Sequence, residues 1–305
     1  MSYLRPALGP VRAALIGVGA MALAACSPVD DEADTTNASE EPSASETKAG
    51  EPEPDACAVD SLPLYRDGQL TVATDSPAYS PWFVDNDPTN GKGYESAVAY
   101  AVADELGFAR GDVTWVTVPF NASYQPGPKD FDFDINQISI TPQRAERVTF
   151  SRGYYSAAQA VVTQADSPFA SATSLTDLAD ARFGVQVGTT SLEAVTGVIA
   201  PAEAPMVYDD SNLATKALEN GQVDAIVVDL PTAYYITAAV LDDAVIAGQF
   251  QPTEGKTEEF GLLLEKDNEL VTCLNTALDA LDEDGTLEKL EKRWLSQVTD
   301  VPELS

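Results

Sequence analysis

The sequence predicts an α/β protein built as two compact units, and three observations carry that expectation. Short apolar, strand-like runs alternate with stretches of helical period through most of the chain, the order that produces sheets flanked by helices. The length of 305 residues corresponds to about two units at roughly 150 residues per domain. Polar clusters follow directly after apolar runs, and open α/β sheets hold ligands at the C-terminal ends of their strands.

Composition excludes several classes of function. With 49 acidic and 17 basic residues the net charge is −32, a field that repels nucleic acid and anionic lipid surfaces. The chain has no histidine, which removes Ser-His-Asp and Cys-His nucleophilic machinery and histidine metal sites together.

Taken in order, residues 1–25 have signal-peptide proportions. Arg5 and Arg12 precede an apolar run that starts at Ala13 and is too short to span a bilayer. The run ends Leu23-Ala24-Ala25-Cys26, which resembles the lipobox of bacterial lipoproteins; the resemblance implies cleavage before Cys26 and lipid attachment to it. The alternative is an ordinary signal peptide with an incidental cysteine. Residues 26–61 then form a spacer of Ser, Thr, Glu, Asp, Pro and Ala, too poor in apolar surface to offset the entropy of ordering, hence a disordered, self-repelling acidic linker. Of three cysteines, one lipidated leaves Cys57 and Cys273, which an oxidising exterior would bridge; two buried thiols are the alternative.

The folded part begins with a strand, 70–74, and a loop, 75–93, rich in Pro, Asp and aromatics. A helix from about Glu95 places Val98, Ala101, Val102 and Leu106 on one face, with Gly107 as its stop. A strand at 113–118 precedes the alternating run Phe131-Asp132-Phe133-Asp134-Ile135, which leads into the segment from Gln137 to Arg144. There Thr141 is placed to cap a helix whose first turn holds Pro142. Strands at 148–150 and 159–163 open a second series: a strand at 183–187, Gly188-Thr189-Thr190-Ser191 starting a helix, a strand at 206–208, a helix at 211–220, and a strand at 223–228 ending on Asp229. A late strand at 260–264 precedes two helices, one with Leu270, Leu274, Leu278 and Leu281 on one face, the next with Leu287, Leu290 and Trp294, separated by Gly285.

Three polar clusters lie at strand ends. Ser139 with Arg144 offers hydroxyl and guanidinium, Gly188-Thr189-Thr190 offers free backbone N–H groups at a helix start, and Asp229 offers a carboxylate. Singly, Arg144 reads as a partner for surface acids, and Thr190 and Asp229 as helix caps. Together they supply receptors for a carboxylate and an ammonium, the two charged ends of a free amino acid.

The chain resembles the periplasmic amino-acid-binding proteins of ABC importers, the type II solute-binding family. The matching segments are Thr74-Asp75 with Tyr79 and Pro81-Trp82, Gly93-Tyr94-Glu95, residues 138–144, 184–190, 223–229 and 278–294, in the family's order. The resemblance implies a two-lobe fold, each lobe a mixed sheet flanked by helices, with two crossings of the chain: lobe one at 62–155 plus 253–299, lobe two at 156–252. It implies that Arg144, Ser139 and the Thr190 N–H hold the ligand α-carboxylate. It implies that Asp229, helped by a main-chain carbonyl near Gln137, takes the α-ammonium. Tyr79 and Trp82 would wall the side-chain pocket and Asp75 would meet its polar end. Asn136-Gln137 departs from the small residues the family often has there, and residues 85–90 form an insertion at the cleft rim.

The resulting expectation is a membrane-anchored, extracytoplasmic, monomeric receptor that captures a polar or basic L-amino acid and delivers it to permease subunits, without cofactor, metal or nucleic acid. The acids Asp130, Asp132 and Asp134 mimic the opening of a calcium loop, but Ile135 and Thr141 stand where Gly and Glu are needed; strand alternation accounts for them. A dehydratase-like cleft enzyme using Glu95, Asp75 or Asp229 and a sensory ligand-binding lipoprotein are the alternatives.

Overall fold

The computed structural model describes residues 56–252, 257–295 and 301–305; the expected leader, Cys26 and the acidic spacer up to residue 55 lie outside them. In chain order the elements are β1 (Leu70–Thr74), α1 (Tyr94–Glu105), β2 (Val113–Thr117), α2 (Phe120–Ser123), β3 (Phe133–Asp134), α3 (Pro142–Ala145), β4 (Thr149–Ala157), β5 (Gln159–Gln164), β6 (Phe183–Gln186), α4 (Thr190–Ala194), β7 (Met206–Tyr208), α5 (Ser211–Glu219), β8 (Ala225–Asp229), α6 (Leu230–Tyr235), β9 (Ala244–Phe250), β10 (Glu258–Leu264), α7 (Leu270–Glu283) and α8 (Thr286–Trp294).

The strands form two sheets of five, and each sheet defines a lobe. The first has the order β2-β1-β3-β10-β4 and the second β7-β6-β8-β5-β9. In the first, β1 runs parallel to β2 and β3 while β10 is antiparallel to β3 and β4. The second repeats this arrangement: β6 is parallel to β7 and β8, and β5 is antiparallel to β8 and β9. All five residues of β1 are buried, as in a strand covered on both faces, although two of them, Thr71 and Thr74, are polar.

The apolar face of α1 packs with α7 and α8 over the first sheet, and the leucines expected on one face of α7 (Leu270, Leu274, Leu278 and Leu281) are all in that core. Cys57 and Cys273 are joined in a disulfide, with their Cα atoms 5.4 Å apart, which ties the start of the described chain to α7. Among the described residues no helix is long and apolar enough to cross a membrane.

The chain passes from the first sheet to the second between β4 and β5 and returns between β9 and β10. It also makes a third passage that the sequence reading did not anticipate. Beyond α8, Glu303 bridges to Gln249 on β9, and Leu304 sits in the core of the second lobe with 3% of its surface exposed. Gly248 makes this possible: a Cβ there would stand 2.5 Å from Leu304 Cγ.

Other differences have local causes. β3 keeps only two of the five expected residues, because the Asp132 carboxylate accepts the N–H groups of Tyr65 and Thr71 instead of leaving a plain ladder. β4 runs nine residues where three were legible, since irregular register against β10 breaks its period of two. β9, absent from the sequence reading, has the same kind of irregularity opposite Val161 and Val162.

Candidate functional site

Between the two sheets lies a cavity of about 60 Å³. From the first lobe it is lined by Asp75, Tyr79, Phe120, Asn136, Gln137 and Ser139, and from the second by residues that include Gln186, Thr190, Ser191, Ser211, Asp229 and Thr232. Six of the eight residues expected around a ligand therefore line it, and Arg144 and Trp82 do not. Trp82 is fully buried; its ring packs edge-on against Tyr94, Tyr155 and Phe260, and its Nε1 donates to Thr232 Oγ1 across the lobes at 2.9 Å. It is core and interlobe contact where a pocket wall was expected.

Arg144 is set by its own turn. Thr141 Oγ1 accepts the Arg144 N–H and caps α3, with Pro142 in the first turn. Its guanidinium donates from Nη1 to the Ser139 carbonyl at 2.9 Å and from Nη2 to the Gly188 carbonyl of the second lobe at 3.0 Å. The rings of Phe120 and Tyr124 cover it, 5.4 and 5.0 Å from its Cζ. Burial pulls its pKa down, while the charges of Glu193, Glu258 and Asp229 oppose that fall. The close approach of the lobes here requires glycine: Gly188 has φ +73°, and a Cβ would lie 2.2 Å from Asn121 Oδ1.

Gln137 has φ +47°, in the left-handed region, at a cost of about 1 kcal/mol or more for a residue with a side chain. Glu95, fully buried at the start of α1, holds it there. One Glu95 carboxylate oxygen accepts the Gln137 N–H at 2.6 Å and the Tyr154 hydroxyl at 2.5 Å, and the other accepts Gln137 Nε2. Glycine, one of the small residues expected at this position, adopts such a backbone without that cost; here a buried acid holds a larger side chain in it. Loss of hydration raises the Glu95 pKa to about 7, against the pull of these three bonds.

The second anchor is a chain of acids and amides. Asp229 ends β8 and its carboxyl accepts Gln159 Nε2 at 2.8 Å. Gln159 Nε2 also donates to Glu258 Oε2 at 2.9 Å, while its Oε1 accepts the Ser191 hydroxyl at 2.6 Å. Loss of hydration raises the Asp229 pKa well above the usual carboxylate range, and the nearby Glu258 charge adds to the rise. Glu258 Oε1 accepts both the Ser139 and the Thr190 hydroxyls, each at 2.5 Å. One further group of a residue that lines the cavity, Asn136 Nδ2, is buried without a hydrogen-bond partner. Asp75 spends its carboxylate on the Ser76 and Phe120 N–H groups. Asp132 and Asp134, noted in the sequence for their spacing, lie in the first lobe, Asp134 fully buried with neither oxygen hydrogen-bonded.

Sequence reasoning did not find Glu258, Gln159 or Phe120. For Glu258 a signal existed: it shares strand parity with Phe260, Leu262 and Leu264, all on the buried face of β10. The adjacent Glu259, exposed, makes the pair look like a solvated charge run.

A family profile described as bacterial extracellular solute-binding proteins, family 3, matches residues 70–297. The arginine-binding extracellular protein ArtP of Bacillus subtilis is 28% identical over 216 residues, 67% of this chain and 78% of that protein. The L-cystine-binding protein TcyJ of Escherichia coli is 28% identical over 229 residues, 74% of this chain and 82% of that protein. Among solved structures, the ancestral amino acid-binding protein AncCDT-1, a precursor of cyclohexadienyl dehydratase, is 30% identical with a TM-score of 0.61, covering 75% of this chain and 95% of that one.

Proposed function

The chain belongs to the bacterial extracellular solute-binding proteins, family 3, and from that premise we propose that it captures a polar or basic L-amino acid between its lobes and hands it to the permease of an ABC importer. The observation that carries this reading is a cavity lined from both sheets, with the acids Asp75 and Asp229 on its wall and no basic side chain among the lining residues. A cationic group complements that wall. The named relatives bind arginine and cystine, which fits a ligand with an ammonium and a polar or basic side chain.

In this reading Asp229 takes the α-ammonium, Arg144, Ser139 and the Thr190 N–H take the carboxylate, and Tyr79, Gln137 and Asp75 meet the side chain. Arg144 reaches the ligand by giving up a carbonyl bond. The two lobes follow the two sheets, joined by a hinge at the crossings between β4 and β5 and between β9 and β10. A ligand that touches both lobes favours the closed state, because only there does it make both sets of contacts. Residues 1–25 are a leader, Cys26 carries lipid, and the acidic segment that follows spaces the receptor from the membrane.

A thermal-shift screen of the protein against all common amino acids tests the reading, since a tight ligand raises stability by mass action. A shift with one or a few polar or basic L-amino acids is expected; no shift with any of them sinks it. A second reading, a cleft enzyme, draws on one observation: Glu95 and Asp229 are acids held toward their protonated forms beside the cavity. Product formed on incubation with the ligand that shifts the melt decides for the enzyme.

A further inference from the structure

Glu258 stands where the chain re-enters the first lobe. It opens β10, its backbone pairs with Ala157 at the end of β4, and two residues further on, at Gln159, the chain has crossed into β5 of the second lobe. From this hinge position its carboxylate reaches in three directions. Oε1 accepts the hydroxyl of Ser139, in its own lobe, and that of Thr190, at the start of α4 in the other, while Oε2 accepts Gln159 Nε2. The Ser191 hydroxyl on Gln159 Oε1 fixes the amide so that its NH2 faces the two acids. Glu258 is 8% exposed.

A hydroxyl has a single proton to donate. With Glu258 as a carboxylate, which offers only acceptors, the protons of Ser139 and Thr190 both point at Oε1. Their oxygens lie 3.3 Å apart and turn only lone pairs toward the cavity that both residues line. A second carboxylate arriving at these hydroxyls meets like charge and no donor. Hydrogen bonds to an ionised acceptor are about twice as strong as neutral ones, so this arrangement is a substantial contact between the lobes, made without a ligand.

We propose that Glu258 is a specificity-determining residue: a carboxylate supplied by the chain itself that occupies the hydroxyl pair Ser139–Thr190, latches the lobes together, and competes with the carboxylate of an incoming ligand. The latch stands on the geometry alone; the competition rests on the amino-acid reading above. Its consequence is that the ammonium or other cationic group carries a larger share of ligand recognition than it would with both hydroxyls free. The α-carboxylate is then left to Arg144 and the Thr190 N–H, without the two hydroxyl donors until Glu258 is moved, so the preference for an amino acid over the amine that lacks its carboxylate is reduced.

The test compares the full chain with Glu258→Ala, and with Glu258→Gln, which keeps the side-chain volume should the alanine variant fold poorly. Without ligand, small-angle scattering is expected to give a larger radius of gyration for the variant, since the bonds to Thr190 and Gln159 are lost or weakened. Calorimetric titration with L-arginine and with its decarboxylated amine, agmatine, is the second readout. The preference for the amino acid is expected to rise roughly tenfold or more in the variant, as two hydroxyl donors become free for a charged acceptor. An unchanged radius of gyration overturns the latch whatever binds. An unchanged amino-acid-to-amine ratio overturns the competition, and loss of both ligands would make Glu258 a direct ligand group instead. If the variant opens but neither it nor the wild type binds any amino acid, the amino-acid reading falls and the latch stands.

Discussion

Stability should fall as pH rises from about 4.5 to 7, and Glu95 provides the magnitude. Its pKa moves from an ordinary 4.5 to about 7 because the folded chain strips the carboxyl of water. Between those values the unfolded chain has released the proton while the folded chain keeps it, so raising pH draws the equilibrium toward unfolding. The stability Glu95 contributes is fully present below 4.5 and is lost as pH passes through 7. At 1.36 kcal/mol per pKa unit this is about 3 kcal/mol, or roughly 6–12 °C in melting temperature for a protein of this size. Asp134 and Asp229, raised by the same loss of hydration, act in the same direction. The exposed acids whose pKa values are lowered by local hydrogen bonds, such as Asp87 and Asp177, are ionised in both states across this window and cancel. Denaturant melts at half-unit steps from pH 4.5 to 8 measure the slope. Glu95→Gln, which can still accept from Gln137 N–H and the Tyr154 hydroxyl, should flatten it by about 3 kcal/mol. A wild-type curve that is flat or rises over the window, or a variant with the wild-type slope, refutes the reasoning.

Three further predictions concern single contacts. Arg144→Ala should abolish any amino-acid-induced thermal shift and also lower the ligand-free melting temperature, because the Ser139 and Gly188 carbonyls lose their donor; a retained shift would place the ligand carboxylate elsewhere. Replacing both Cys57 and Cys273 by serine should cost at most about 5 kcal/mol on the chain-entropy model, for a closed loop spanning a separation of 216 residues; denaturant melts with and without reductant, the wild type alone responding, check it. Leu304→Ala should cost about 2–3 kcal/mol in a denaturant melt, which a tail merely resting on the surface would not.

The fold was legible where local signals agreed with tertiary burial. Leucines four residues apart on α7, the Thr141 cap with Pro142, and Gly285 between the last two helices each combine a sequence rule with the element it produces. The candidate site was legible in the sequence only as a set of residues at strand ends, six of which line one cavity. What escaped depends on partners distant in sequence. Trp82 looks like a pocket wall until Tyr94, Tyr155 and Phe260 enclose it. Glu258 looks solvated until a hydroxyl 119 residues away and another 68 away give it partners. Irregular pairing hid most of β4 and all of β9, because the alternation that reveals a strand is lost at a register shift.

The charges in the cleft rank the candidate ligands. Asp75, Asp229, Glu95 and Glu258 lie in or against the site, and Arg144 is the basic side chain set among them, its guanidinium already bonded to two carbonyls and shielded by two rings. Loss of hydration holds Glu95 and Asp229 toward neutrality, and at Asp229 the charges of Glu258 and Glu95 add to the rise. A neutral amino acid adds one positive and one negative end and leaves the balance where it was. A basic amino acid adds a net positive charge, which favours ionisation of the acids it meets and so is repaid in affinity. On the proposed reading, a basic amino acid is expected to release more protons from the cleft on binding than a neutral one. Within this cluster Glu258 takes neutral donors, the hydroxyls of Ser139 and Thr190 and the amide of Gln159, while the Arg144 guanidinium is bonded to carbonyls.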